Sequence, residues 1–349
     1  MQNIAEDLEK TKGAEITDVK TMMLKASCNV IHSLIFGYRY KHDNESLHKL
    51  IKTIDEIFSG PGPLTATGIF PILNFLTKDS VRVRVEGFAT LKKYIDEHIS
   101  EHRDSFDPEN IRDFIDMYLE AEKDEIERTS SLNPGGLFST IADLFAAGTD
   151  TTATTLDWSL LYMIQYPDVQ KRCQEEITKA GINLSQLIIF IGAGRMVRIS
   201  DRRRLPYTEA TIMEIQRLSN IALFAVPHVS VCDTTINGYK IPKNTIIIPS
   251  LVSVHLDETI WTDPTEFNPG RFLNQNNEII NKEYLMPFAL GPRSCPGESL
   301  ARTELFLIFS NLLQRFEFSK VDSSDILSFE GITGITQAPS PYRLKADLR

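Results

Sequence analysis

Cys295 lies in the stretch Phe288-Ala289-Leu290-Gly291-Pro292-Arg293-Ser294-Cys295-Pro296-Gly297. A free cysteine is usually a small buried hydrophobe. This one has Gly291 and Gly297 on either side, residue types that let the backbone bend sharply or approach another group closely. Pro296 suits the first turn of a helix, and Leu300-Ala301-Arg302-Thr303-Glu304-Leu305-Phe306 continues with helical periodicity. A sulfur at a helix N-terminus meets the positive end of the helix dipole and unpaired backbone N–H groups. Both favour thiolate over thiol, and a thiolate is a metal ligand. Arg293, two residues upstream, can reach an anionic ligand beside that metal, and Phe288 can shield the sulfur from water.

Three more groups of residues carry chemical potential. Asp143-Leu144-Phe145-Ala146-Ala147-Gly148-Thr149-Asp150-Thr151-Thr152 reads as a helix with five threonines between positions 149 and 155, a poor composition for a regular interior. Threonine hydroxyls bonded to the preceding turn bend a helix, so a local distortion is expected here. The small residues Ala146, Ala147 and Gly148 leave room for a flat ligand, and Asp150 with Thr151 adds an acid and a hydroxyl. Glu214 and Arg217, three apart, share one helix face, which by itself is the pattern of an ordinary surface ion pair. Phe267-Asn268-Pro269-Gly270-Arg271-Phe272 and the pair Pro227-His228 follow.

The elements that must position these residues are mostly helical. Helical periodicity or composition covers segments near 4–11, 17–37, 45–59, 80–102, 110–120, 137–166, 168–180, 207–219 and 298–315. Strand signals come late: 234–241 with 245–249 reads as one hairpin region, and 331–336 with 342–345 as another. The fold class is therefore mainly α with a small β part. The 42% apolar and 24% charged content of the 349 residues is that of a globular protein able to bury a large core. A net charge of −10 argues against a nucleic-acid partner. Four scattered cysteines (Cys28, Cys173, Cys232, Cys295), with no CxxC pair, fit a reducing compartment. No run is long and apolar enough to span a bilayer.

The Cys295 stretch resembles the haem-binding loop of the cytochrome P450 family, Phe-x-x-Gly-x-Arg-x-Cys-x-Gly, with Phe288, Gly291, Arg293, Cys295 and Gly297 at its fixed positions. The threonine helix resembles the family's Ala-Gly-x-Asp/Glu-Thr-Thr signature, filled by Ala147, Gly148, Asp150, Thr151 and Thr152. Glu214-x-x-Arg217 and Arg271 match the Glu-x-x-Arg and Pro-Glu-Arg-Phe elements, although Gly270 stands where an acidic residue is more usual. The order and spacing resemble the animal microsomal branch.

That resemblance implies the cytochrome P450 fold and haem b. It implies Cys295 as the axial thiolate on the iron, Arg293 and His228 at the haem propionates, and Ala147 and Gly148 lining the distal pocket. Asp150 and Thr151 would steer protons to bound O2. Glu214, Arg217 and Arg271 would form a buried cluster that fastens the cysteine loop. The implied activity is insertion of one oxygen atom from O2 into an apolar small molecule of fatty acid, steroid or xenobiotic class. Electrons would come from an NADPH-dependent flavoprotein reductase, at the cytoplasmic face of the endoplasmic reticulum membrane.

Against a full-length member, the chain is expected to lack the early part, including any membrane anchor, leaving membrane contact to that absent segment or to a peripheral patch. A catalytically inactive truncated form with loose or no haem is the alternative reading. A haem-thiolate isomerase or dehydratase is disfavoured by the Asp150-Thr151 pair. Residues 1–349 read as a single domain. Residues 181–191 read as an insertion foreign to the family, and Phe58 to Phe75 as an apolar cover over the pocket. Gly192-Ala193-Gly194 imitates a dinucleotide fingerprint, but Val197 occupies the third glycine position and no βαβ unit surrounds it. Arg202-Arg203-Arg204 reads as a solvated loop.

Overall fold

In the computed structural model, which describes residues 2–59, 78–126, 136–181 and 195–349, one long helix is the axis of the fold. This helix, α6 (Gly136–Gln165), is buried at every residue from Thr152 to Ile164. A helix with no solvent face is stable only with neighbours all round. α2 (Val19–Ile35) lies along much of it. The start of α2 is fixed by Asp18, whose side chain accepts the Thr21 N–H at 3.0 Å. Gly148 permits the close approach of the two helices, since a Cβ there would stand 2.7 Å from Ile31 Cδ1.

α1 (Gln2–Thr11) and α5 (Phe114–Ile126) flank α2. α3 (Glu45–Ser59) buries Leu47, Leu50, Ile51, Ile54, Ile57 and Phe58, a stripe at helical spacing, and packs on α4 (Lys78–Ser105). α7 (Pro167–Lys179), α8 (Pro206–Ser219) and α10 (Glu298–Arg315) also pack on α6. α7 supplies the N-terminal cap of α8. Glu176 accepts the N–H groups of Tyr207 and Thr208, each at 2.8 Å, and the Thr208 hydroxyl at 2.7 Å. A carboxylate at a helix N-terminus satisfies orphan donors and meets the favourable end of the dipole.

Three expectations differ from the structure. α6 runs unbroken through its threonines, because Thr149, Thr151 and Thr155 donate to the carbonyls of Phe145, Ala147 and Thr151 at 2.7, 2.7 and 2.9 Å without displacing the helix ladder. The strands pair in other combinations. β1 (His228–Val229) pairs with β4 (Ile246–Ile247), whereas β2 (Thr234–Ile236) and β3 (Tyr239–Ile241) pair with each other. β5 (Phe316–Lys320) takes β8 (Leu344–Leu348) as partner, while β6 (Gly331–Thr333) turns back on β7 (Gln337–Pro339). Burial decides this: Phe316, Phe318, Leu344 and Ala346 alternate inward on one ladder and complete the core. Finally, Ile199–Arg204 is a 3₁₀ turn, with Arg202 bonded to Glu209 at 2.8 Å and Arg204 to the Ala180 carbonyl.

Two turns beyond Asp150 on α6, Asp157 is buried, and Tyr342 Oη lies 2.8 Å from both its Oδ1 and its carbonyl. Burial pushes its carboxyl up to about 7, against the opposing pull of that hydroxyl. Between the ordinary carboxylate value and about 7 the folded chain holds a proton that the unfolded chain has lost, so stability falls as pH rises through that window. Asp157→Asn keeps the acceptor and abolishes the slope. Relative to wild type it is expected to gain up to ~4 kcal/mol at pH about 8 and almost nothing at pH about 4, at 1.36 kcal/mol per pH unit. Urea melts at both pH values measure this; a stability difference independent of pH would refute the neutral buried carboxyl.

Candidate functional site

The cysteine loop closes on itself. Cys295 N donates to the Phe288 carbonyl at 2.9 Å and Ser294 N to the Gly291 carbonyl at 3.0 Å. Gly291 has φ +81°, a conformation that favours glycine, and Ala289 adopts φ +57° two residues before it. α10 begins at Glu298 with Gly297 as its N-cap, and Glu298 N lies 3.4 Å from the Cys295 carbonyl. A Cβ at Gly297 would stand 3.8 Å from the sulfur, so glycine keeps that flank open. Phe288 is half-buried, with the Arg302 guanidinium 4.9 Å from its ring centre. Cys295 is exposed, whereas burial pushes the thiols of Cys28 and Cys173 up to about 12. The two buried cysteines are inert packing groups; Cys295 is open to a ligand.

The segment leading to this loop has little regular structure and is held by charge. Glu214 and Arg217 are fully buried, and the side chain of Arg271 is only 8% exposed. Arg217 makes a two-pronged contact with Glu214 (Nε–Oε2 2.8 Å, Nη2–Oε1 2.9 Å), and Arg271 Nε reaches Oε1 at 2.8 Å. The remaining guanidinium protons go to main-chain carbonyls. Arg217 bonds those of His255 (2.6 Å) and Pro264 (2.7 Å), and Arg271 those of Thr262 and Glu266 (both 2.9 Å). Asn268 N donates to the same Glu214 oxygen at 2.9 Å. The grip then passes to the cysteine loop through His255, at the end of α9 (Leu251–His255). Burial, aided by Arg217, holds its imidazole down to about 4, hence neutral. Nδ1 meets Asn220 Oδ1 at 2.6 Å, which leaves the Nε2 lone pair for the Met286 N–H at 3.0 Å, two residues before Phe288.

On α6, Ala147 is exposed, Gly148 and Thr151 are half-buried, and the Thr151 hydroxyl is turned back onto the Ala147 carbonyl. Asp150 points elsewhere and is fully buried. Its Oδ2 accepts the Thr336 hydroxyl at 2.7 Å; its Oδ1 has no hydrogen bond among the described residues and lies 3.9 Å from Lys20 Nζ. Lys20 also contacts Asp55 at 2.5 Å, whose side chain is 41% exposed. Burial pushes the Asp150 carboxyl up, opposed by the Lys20 ammonium and the Thr336 hydroxyl. Asp150 and Thr151 are neighbours in sequence but the structure does not bring their side chains to one partner. Lys20, Asp55 and Thr336 lie far from Asp150 in sequence, and no local pattern announced them.

His228 and Arg293 are both exposed, and neither has a side-chain hydrogen bond or ion pair among the described residues. Apolar side chains exposed on the same segments are Phe224, Val226 and Leu290, the last two 81% and 67% exposed. The 221–228 segment is anchored to α6 through Gln337, whose N–H donates to the Ile221 carbonyl (2.8 Å) and whose carbonyl accepts the Trp158 indole (2.9 Å). One exposed sulfur, the small residues Ala147 and Gly148, exposed apolar side chains, and an arginine and a histidine without partners among the described residues suit a flat apolar macrocycle with a metal at its centre and anionic groups at its edge. Residues 182–191 of the expected insertion, Gly192 to Gly194, and most of the Phe58 to Phe75 cover lie outside the described residues.

The family model for Cytochrome P450 matches residues 1–346. Among curated relatives, human cytochrome P450 2U1 is 39% identical over 94% of this chain and 59% of its own length. Cytochrome P450 2D20 of Mesocricetus auratus is 39% identical over 94% of the chain and 64% of its own length. Mouse cytochrome P450 2C29 is 40% identical over 98% of the chain and 69% of its own length. The chain thus spans about 60% of the length of the first two relatives.

Neutralising Glu214 as Gln strands Arg217 in the interior without its counter-charge, which costs about 3–5 kcal/mol for a buried pair. Glu214→Gln is therefore expected to melt well below wild type. Glu214→Leu combined with Arg217→Met removes both charges and is expected to recover part of the loss. A melting temperature unchanged in the single variant would show that the pair does not hold the 255–286 segment.

Proposed function

The chain belongs to the cytochrome P450 family, and from that premise we propose that it is a haem-thiolate monooxygenase acting on an apolar small molecule of fatty acid, steroid or xenobiotic class. The observation that carries this reading is the exposed Cys295 sulfur beside Gly297, on a loop held through His255 and Met286 by the buried Glu214 cluster. Haem b held there by Cys295 would supply activation of O2 and insertion of one oxygen atom. Residues 1–349 act as one domain in this proposal.

Each part of the chain has a task in that chemistry. Cys295, placed just before the N-terminus of α10, would be the sulfur ligand of the iron. Phe288, with Arg302 above its ring, keeps water from the sulfur, and Gly291 and Gly297 let the loop approach the ligand. Ala147 and Gly148 leave room on the opposite wall for dioxygen and an apolar substrate. Arg293 and His228, both without side-chain partners among the described residues, would take the propionates.

Proton supply divides between two groups. The Thr151 hydroxyl, parked on the Ala147 carbonyl at 2.7 Å, is free to turn and donate. Asp150 holds a carboxyl in a dry setting between Thr336 and the Lys20–Asp55 pair, whose outer member touches solvent. A proton entering at Asp55 passes beside Lys20 to the unbonded Oδ1 of Asp150. Electrons come from an NADPH-dependent flavoprotein reductase, and the protein works at the cytoplasmic face of the endoplasmic reticulum membrane, as the microsomal resemblance suggests. No described helix is long and apolar enough to cross a membrane.

The ferrous–CO difference spectrum of the purified chain tests the reading directly. A thiolate-type, red-shifted Soret band is expected in wild type and is expected to vanish in Cys295→Ala. A band that survives that substitution, or no bound haem at all, would replace the enzyme by its inactive alternative. Asp150→Asn preserves the Thr336 contact but cannot carry a proton. It is expected to retain the CO band while substrate oxidation falls on the order of 10²-fold, the usual scale of general acid–base assistance; unchanged turnover would remove Asp150 from proton delivery.

A further inference from the structure

Away from the cysteine loop, five ring side chains from three segments join in one hydrogen-bonded chain. His32 comes from α2, Tyr38 and Tyr40 from the turn that follows it, and Tyr94 and His98 from α4. His32 Nε2 lies 2.6 Å from Tyr94 Oη, which is 3.0 Å from Tyr40 Oη. Tyr40 Oη is 3.1 Å from Tyr38 Oη, and Tyr38 Oη is 2.9 Å from His98 Nε2. Both ends are pinned to main-chain carbonyls: His32 Nδ1 to that of Tyr38 at 2.8 Å and His98 Nδ1 to that of Tyr94 at 2.9 Å.

Each of these six contacts needs a proton. A carbonyl only accepts, so both Nδ1 atoms must carry hydrogen, and a neutral imidazole then presents only a lone pair at Nε2. Two neutral imidazoles and three phenols bring five protons to six contacts. Whatever way the hydroxyls turn, one contact is left with two lone pairs facing each other, at some point between the fully buried His32 and the exposed Tyr38. One further proton satisfies every contact. Two further protons force a pair of hydrogens together.

We propose that His32, Tyr94, Tyr40, Tyr38 and His98 form a proton-sharing chain that holds one proton beyond their neutral complement and can pass it between half-exposed His98 and buried His32. In the transfer His98 Nε2 gives its proton to Tyr38. Tyr38 gives its own to Tyr40, Tyr40 to Tyr94, and Tyr94 to His32 Nε2. Four N–H or O–H bonds break, four form, and no electron moves. Burial holds the His32 imidazole down to about 4, so a proton arriving at that end is disfavoured.

The neighbours suit a held cation. Glu101 acts on Tyr38 from α4. The His98 carbonyl accepts from His102 Nδ1 at 2.7 Å, and His102 Nε2 lies 2.8 Å from Asp113. Asn29 accepts the Tyr40 N–H from α2, and the apolar rings of Phe36 and Phe145 close on His32 from the turn and from α6. Ligand atoms of His102, Asp113 and Asp116 lie within 4.8 Å of one another, but the Asp116 carboxylate is already committed to Arg112, bonded twice at 2.6 and 2.8 Å.

Tyr40→Phe tests the count. It removes the middle hydroxyl and leaves two separate pairs, Tyr94–His32 and Tyr38–His98, each with one proton for one contact. The whole chain, labelled with ¹⁵N-histidine, is titrated by NMR in wild type, Tyr40→Phe and Tyr94→Phe. In wild type the two imidazoles are expected to respond in a single shared step, with imidazolium signals persisting at least one pH unit higher than in either variant. In the variants both rings are expected as neutral Nδ1–H tautomers that titrate independently. Two independent neutral imidazoles in wild type, or identical titrations in wild type and a folded variant, overturn the proposal. The two phenylalanine variants cut the chain at different points, so loss of folding in one still leaves the other to decide.

Discussion

Three ionised side chains taken out of water govern how this fold delivers a cysteine. Isolated, a buried carboxylate or guanidinium is strongly unfavourable, and here neither Glu214 nor Arg217 retains any contact with solvent. The arrangement tolerates this because every prong of the two guanidinium groups finds an acceptor, and most are carbonyls of the irregular 255–266 stretch. That stretch lacks the strand or helix partners that would otherwise satisfy its backbone. Its conformation is therefore set by the directions in which two planar cations can donate. An aliphatic cluster of equal volume would fill the space without fixing those directions.

The second constraint is that both walls of the site refer to one helix. α10, which carries the cysteine loop at its head, packs on α6. The segment bearing Val226 and His228 reaches the same helix through Gln337, and the β6–β7 hairpin reaches it again through Thr336 on Asp150. Close packing transmits small displacements, so a shift of α6 moves the cysteine side and the opposite side together. Gly148 lies on this helix where a side chain would collide with Ile31. The packing of α2 alone is enough to require a glycine there.

Short-range chemistry was legible in the sequence, and long-range partnership was not. Phe288 to Gly297 announced a bent loop before a helix because glycine, proline and helical periodicity act within ten residues, and the start of α10 at Glu298 follows from those local rules. The Glu214-x-x-Arg217 spacing showed that the two share a face but said nothing of burial, which comes from Trp261, Pro264 and Arg271 about fifty residues on. Strand pairing failed for a related reason. The 342–345 segment has a local turn toward 331–336, yet Leu344 and Ala346 find more apolar partners on Phe316 and Phe318. The threonines of α6 misled in the opposite direction: hydroxyls that would bend an exposed helix are held straight by neighbours on every side.

The two acids of α6 show how environment, not residue type, assigns a role. Asp150 and Asp157 are seven residues apart, hence on one face of the helix, and burial pushes both carboxyls up. Lys20 is the nearby cation for both, but one ammonium cannot neutralise two carboxylates and it is already committed to Asp55. It stands 3.9 Å from Asp150, while Asp157 has the Tyr342 hydroxyl as its hydrogen-bond donor. A phenol can hold a carboxyl in place but cannot balance its charge. Asp157 is therefore a structural acid, neutral below about pH 7. Asp150 differs: one of its oxygens has no hydrogen bond among the described residues, and an ion pair whose outer member touches solvent lies beside it. The environments of the two acids are thus set less by the Asp-Thr dipeptide than by which carboxyl the single lysine can reach.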